Sequence, residues 1–428
     1  MKNLSLIFLL LFISCAQTKE KDSKSLLSFA SPSNVGMNAD SLTLIDEVVQ
    51  RYVDEGKFPG AVTLIAKNGK IIYESEIGFD DSLKSEAYKK HHLFRLASMT
   101  KPITSVAVLQ LVEQGKVNLD DPISKYIPAF SNIEVLDEFN PEDTTWTTIP
   151  IERPPTIHHL LTHTSGIPYA FMDPPVNGAM LLKYEIPDLT SHTDITMEEV
   201  ADELGKIPLV HQPGVKMTYG LNIDVLGRVV EVASGKDLSS YINENILDPL
   251  GMDSTDFFFD DSYASMLTTL YQPDTAGSYQ PLISTNPLNH EDFPVYGAKS
   301  HYSGGSGLSG TARDYFKFCQ MILNDGTYNG NQVLSPESVE MMSSNQIDTL
   351  WTGKNKFGYG FVIQQSPSTI PEGTIYFGGA FSTSFWIDPE NELIIIQLRQ
   401  VYFSPNGWSL GNKLLKHVYS AMETKKAT

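Results

Sequence analysis

Ser98 and Lys101 stand three residues apart in Phe94-Arg95-Leu96-Ala97-Ser98-Met99-Thr100-Lys101-Pro102-Ile103-Thr104, at the head of an apolar run that continues through Val112. Residues at i and i+3 share a helix face, with Cβ atoms about 5–6 Å apart, so the amine can reach back to the hydroxyl. A serine hydroxyl is a weak nucleophile until a neighbouring base takes its proton, and a lysine one turn away supplies that base. Pro102 lacks an N–H and is tolerated only near the first turn, so the helix must begin within a residue or so of Ser98. The hydroxyl then lies at the positive end of the helix dipole, where developing negative charge is favoured. A serine cap followed by a solvated lysine has the same two letters. Among all the lysines, only Lys101 has a serine three places before it.

Elements on both sides must position this pair. Ser41 to Val53 reads as a helix, and Gly60 to Lys67 and Lys70 to Ser75 as strands joined by the turn pair Asn68-Gly69. A long middle section is mixed helix and loop with proline breaks, and Leu221 to Ser234 and Leu238 to Ile246 are predicted helices within it. Thr311 to Asn324 is another, opened by a capping pattern from Thr311 to Asp314. Strands return at Gly358 to Gln364, Thr374 to Gly378, Phe381 to Ile387 and Glu392 to Gln400, and Leu410 to Met422 closes the chain as a helix. This pattern predicts an α/β (α+β) fold: a sheet built from both chain ends, about 31–95 and 300–428, with a mostly helical region inserted at about 96–299.

The chain has 428 residues, enough for a sizeable core. Its net charge of −20 makes nucleic acid and anionic membrane surfaces poor partners for the body of the protein. Residues 1–14 read as a targeting segment: a short basic start, then an apolar run from Leu4 to Ile13 too short to span a bilayer. Ser14-Cys15 then resembles the lipobox of bacterial lipoproteins, with Phe12 where leucine is usual, and the polar stretch 15–30 suits a tether. The expectation is an envelope protein anchored through lipidated Cys15; an ordinary secretory signal is the alternative. Cys319, in an amphipathic run, reads as a buried small apolar residue.

The block from Leu96 to Thr104 resembles the first motif of the serine β-lactamase-like superfamily, which includes class C β-lactamases, D-alanyl-D-alanine carboxypeptidases and family VIII carboxylesterases. Further blocks agree in order: Gly115 to Tyr126, Ile157 to Ile167, Tyr219 to Gly227, Gly304 to Leu308 and Phe357 to Phe361. The resemblance runs from about Ser31 to Tyr419. It implies a β-lactamase/transpeptidase-like fold, with the site in the cleft between sheet and helical region and no metal or organic cofactor. It also implies Ser98 as nucleophile, Lys101 as base and Tyr219 as proton relay, with the nearby ammonium favouring phenolate. Leu221 stands where Tyr-x-Asn enzymes carry asparagine, Asn222 falls one place late, and Gly220 replaces a common serine.

The third motif, Lys-Thr-Gly in penicillin-recognising enzymes, corresponds to Phe377-Gly378-Gly379, which puts Phe377 in the place of the lysine that would pair with a substrate carboxylate. By the same resemblance, the Ala380 and Ser98 N–H groups form an oxyanion hole, and Phe377, Gly378, Gly379 and Leu221 contact substrate. These departures favour the esterase-like branch and a small-molecule ester. A D-amino-acid peptide or β-lactam as substrate, or a catalytically silent binding protein, are the alternatives. The middle insertion at 130–157 and the loop at 169–196 are expected to shape the pocket. Gly305-Ser306-Gly307-Leu308-Ser309-Gly310 matches Gly-x-Gly-x-x-Gly but follows no buried strand, which argues against a dinucleotide. His159 and His163 have metal-ligand spacing, but Leu160 replaces the glutamate of His-Glu-x-x-His.

Overall fold

Asn68 and Gly69 both adopt positive φ, 52° and 71°, the conformation a tight two-residue hairpin requires. The turn joins β1 (Gly60–Lys67) to β2 (Lys70–Gly78). The computed structural model describes residues 27–80, 86–191, 193–274, 278–283, 293–351, 355–366 and 368–422; the targeting segment and Cys15 lie outside them. Five later strands complete the sheet: β3 (Asn355–Phe357), β4 (Val362–Gln364), β5 (Ile375–Gly378), β6 (Ser384–Asp388) and β7 (Leu393–Leu398). Their order is β3-β4-β5-β6-β7-β1-β2, antiparallel throughout. The chain ends meet where β7 pairs with β1, with Val62 opposite Leu398 and Lys67 opposite Leu393.

Five helices matter for the site: α1 (Ala39–Asp54), α2 (Thr100–Glu113), α3 (Asn222–Ser234), α4 (Ala312–Leu323) and α5 (Gly407–Ser420). β7 is buried on both faces, which explains why it is apolar at every position but Gln397. Leu393 and Ile395 pack towards α1 and α5, whereas Ile394, Ile396 and Leu398 join the core that contains α2 and α4. Thr311 caps α4 by accepting the Asp314 N–H (3.2 Å), and Cys319 is a free thiol fully buried within that helix. No helix of the described residues is long and apolar enough to cross a membrane.

Three expectations require correction. The strand expected at Gly358 to Gln364 is the end of a hairpin: Gly358 to Phe361 form its turn, closed by the Gly358 N–H on the Phe361 carbonyl (2.9 Å), and only Val362–Gln364 is strand. The strand expected from Phe381 starts at Ser384, because 379–383 fold into a tight turn in which Ser382 has φ 67°. The middle section also holds a two-stranded hairpin, Glu134–Asn140 with Thr145–Pro150, stitched by Phe139 opposite Trp146.

Candidate active site

Every residue of α2 from Thr100 to Leu111 is buried, so its polar side chains must find protein partners. They find them in one loop. The Thr100 hydroxyl accepts the Leu308 N–H (3.1 Å), the Thr104 hydroxyl donates to the Gly304 carbonyl (2.8 Å), and the Lys101 amine donates to the Gly305 carbonyl (2.9 Å). The glycine-rich segment Gly304 to Leu308 is thus the cradle for the first turn of α2. Ala97 to Met99 form a 3₁₀ turn leading into α2, as the proline argument requires, and Ala97 is held at φ 48° directly before Ser98. Such a conformation costs a β-carbon-bearing residue about 1–3 kcal/mol and persists only where its surroundings fix it. Here Leu96 is fixed at both polar atoms, its N–H on the Leu308 carbonyl (2.9 Å) and its carbonyl under the Thr383 hydroxyl (2.9 Å).

Ser98, Lys101 and Tyr219 converge. The Tyr219 hydroxyl donates to Ser98 Oγ (2.7 Å), and Lys101 Nζ lies 3.1 Å from the same oxygen. Lys101 also reaches the Tyr169 hydroxyl (2.9 Å). Burial lowers the Lys101 pKa to about 7 against the opposing pull of Asp224. A neutral amine has two N–H donors and one lone pair. With the donors on Gly305 and Tyr169, the lone pair faces the Ser98 hydroxyl. Burial drives the Tyr219 phenol above its ordinary pKa, more than its bond to Ser98 lowers it. The expected phenolate is therefore corrected: desolvation and Asp224 both favour the neutral phenol at Tyr219.

Two residues of this cluster have no role in the sequence reading. Tyr169 is fully buried, with its hydroxyl on Lys101, and burial and Asp224 keep it protonated. Asp224, on the first turn of α3, accepts the Ser303 hydroxyl (2.5 Å) and the Gly305 N–H (3.1 Å), and so orients the loop whose carbonyl holds Lys101. A lone acid inside Ile223-Asp224-Val225-Leu226 is the signal that points to it.

The approach to Tyr219 explains the departures in the second motif. A Cβ on Gly220 would lie 1.9 Å from the Ile167 carbonyl, so no serine fits there. Asn222 is structural, its amide donating to His163 Nδ1 (3.1 Å) and the Ile167 carbonyl (3.1 Å). The His163 ring lies 4.7 Å from the Tyr219 ring, tilted by 46°, while His159 Nδ1 accepts the Thr156 N–H (3.1 Å), so the two histidines serve separate loops. Leu221, expected to touch substrate, is instead buried in the core and does not line the cleft: it directly precedes α3 and turns inward.

The end of β5 forms the opposite wall. A Cβ on Gly379 would meet the Leu96 carbonyl at 2.3 Å and Thr383 Oγ1 at 2.4 Å, so only glycine lets this strand end press against the residues before Ser98. Ala380, next in the chain, lines the cleft with Ser98, Phe377, Gly378 and Gly379, and its N–H has no partner among the described residues. The family resemblance assigns this N–H to the oxyanion, and on that assignment Gly379→Ala is expected to displace it and lower kcat about 100-fold, while KM changes little. Steady-state kinetics on a p-nitrophenyl ester checks it. The cleft has a volume of about 880 Å³ and is mostly apolar, with Phe171, Phe403 and Trp408 among its walls. Leu189 and Tyr169 come from the loop at 169–196, as expected; the insertion at 130–157 contributes nothing to this cleft. The far wall comes instead from 351–376 and α5.

Comparison with known proteins agrees with this architecture. The chain is 33% identical over 373 residues to Protein Rv1367c of Mycobacterium tuberculosis, covering 82% of this chain and 88% of the relative. It is 28% identical over 409 residues to Esterase EstB of Burkholderia gladioli, covering 91% and 98%. Among solved structures it is similar to EstCE1, described as a hydrolase with promiscuous acyltransferase activity, with a TM-score of 0.76 and 26% identity over 88% of this chain and 99% of that one. The family model Beta-lactamase matches residues 45–404, and with the two-part fold and the buried Ser-Lys-Tyr cluster this establishes that the chain belongs to the beta-lactamase family of serine hydrolases.

Proposed function

We propose that this protein hydrolyses carboxylic esters through an acyl-enzyme on Ser98. The observation that carries the reading is the Lys101 amine, wholly buried and turned on the Ser98 hydroxyl. Lys101 takes the Ser98 proton as Oγ bonds to the carbonyl carbon, and the oxyanion is held by the Ala380 and Ser98 N–H groups. Tyr219, a neutral phenol on the same oxygen, passes a proton to the departing alkoxide. Water then attacks the acyl-enzyme and gives a proton to Tyr219, which has lost one; as the acyl–Oγ bond breaks, Ser98 takes back the proton held by Lys101 and the acid leaves. Phe377 in place of a cation, together with the apolar walls, favours an ester over a β-lactam or a peptide carboxylate.

Hydrolysis of p-nitrophenyl acetate and butyrate, compared with nitrocefin and a D-Ala-D-Ala peptide, tests the substrate class. Faster acylation by the latter two would sink it. Since EstCE1 is described with acyltransferase activity, alcohols competing with water for the acyl group is a second outcome, read as ester formation when butanol is added.

The protonation state of Lys101 sets a pH dependence. Only the neutral amine accepts a proton, and burial places its pKa at about 7. The rate constant kcat/KM should therefore be level above about pH 8 and fall about tenfold per unit well below pH 7. A profile flat down to pH 5 would contradict this role. The anchored location rests on Ser14-Cys15 alone; Cys15→Ala is expected to release the protein from the membrane fraction.

A further inference from the structure

The cleft does not end at Ser98. β4 pairs with β5 only through Ile375 and Tyr376, which leaves Phe377 and Gly378 open on that side. The cleft continues past them to the face of the sheet covered by α5, where Trp386, Trp408 and Arg399 line it. Arg399 follows β7 on the face of Leu393 and Ile395, stacked 5.1 Å from the Phe58 ring. It is only 3% exposed.

Its guanidinium is anchored but not neutralised. Nε donates to the Ser382 carbonyl (2.8 Å), Nη1 to the Gly407 carbonyl (3.0 Å), and Nη2 lies 3.5 Å from Ser384 Oγ. Arginine carries five N–H groups, so two remain without a partner among the described residues. The groups acting on its charge are burial, which lowers its pKa to about 10, and the phenols of Tyr279 and Tyr52; no carboxylate is among them. Elsewhere the buried Lys317 has Asp314 at 2.7 Å, and the half-buried Arg313 has Glu74 at 2.6 Å. A buried cation without a counter-ion is costly unless something pairs with it. One that lines an open cleft can be paired by a ligand.

We propose that Arg399 is a subsite for a carboxylate at the far end of the substrate, so that the preferred esters are hemiesters of dicarboxylic acids. This rests on the esterase reading of Ser98. Ser384 stands opposite Gly378 in the β5–β6 pair. With strands about 4.8 Å apart, and with Nε on the carbonyl of Ser382, two residues beyond Ala380, the guanidinium is within about 10 Å of the Gly378–Ala380 end, inside the reach of an adipate chain. Apolar walls near Ser98 and a single cation beyond them fit a molecule with an apolar middle and an anionic tail. The overall charge of −20 acts in the opposite direction, so any preference for an anion must arise locally.

The test compares p-nitrophenyl hydrogen adipate with its neutral methyl ester. For the wild-type protein, kcat/KM for the hemiester should be higher by about tenfold or more, the effect of a charge-assisted bidentate contact. In Arg399→Met the ratio should collapse to about one, mainly through KM, and Arg399→Lys should be intermediate. A wild-type ratio at or below one overturns the proposal whether or not the variants fold. If p-nitrophenyl butyrate is hydrolysed while this ratio is one, only the subsite fails. Calorimetric titration of Ser98→Ala with the two esters decides the matter without turnover: tighter binding of the anion supports the subsite, and equal or weaker binding overturns it.

Discussion

Replacing Ser98 with alanine is expected to lower kcat on p-nitrophenyl butyrate by about 100,000-fold and to leave Tm within about 3 °C. The change removes the atom that both the Lys101 amine and the Tyr219 phenol approach, at 3.1 and 2.7 Å. What remains is binding and the oxyanion donors, which leave a small residual rate over water. The stability cost is small because Ser98 lines the cleft, so water can reach the groups that lose their partner. Activity within tenfold of wild type would mean that another nucleophile works here.

Lys101 gives the second large effect. Lys101→Met keeps an unbranched apolar stem in the same space and removes the base, with an expected loss in kcat/KM of about 10,000-fold. The residual activity should lose the fall below pH 7, because the group that titrates there is gone. Lys101→Arg separates base from charge. A guanidinium keeps the positive charge and donors but does not lose its proton, so it should be as inactive as methionine. Retention of a tenth of wild-type activity by Lys101→Arg would show that charge alone suffices. Circular dichroism and thermal melts check that either variant is folded.

The parts of this site legible in the sequence are those fixed by local geometry. Ser98 and Lys101 are one turn apart, and Pro102 limits where that turn starts; Asn68-Gly69 likewise dictates its own hairpin. Tyr219 was found through a resemblance in block order. Tyr169 and the Gly305 carbonyl escaped because they reach Lys101 across 68 and 204 residues, and no spacing encodes that. The placement of Leu221 is not legible, because a motif position does not say which way a side chain points, and the start of α3 turns it into the core. The hairpin at 134–150 escaped for a different reason. A register shift between Leu136 and Phe139 puts Asp137 and Glu138 side by side and breaks the alternation by which half-buried strands are recognised. The start of β6 was misplaced because apolar Phe381 continues the pattern, although the backbone has already turned at Ser382.

Acylation of Ser98 underlies the proposed reaction. Its most direct test is reaction of the wild-type protein with a fluorophosphonate, followed by peptide mapping in a mass spectrometer. One adduct per chain is expected, on Ser98, formed more slowly below pH 7 and absent from Ser98→Ala. A folded protein that takes up no label, or carries it on another residue, would contradict it.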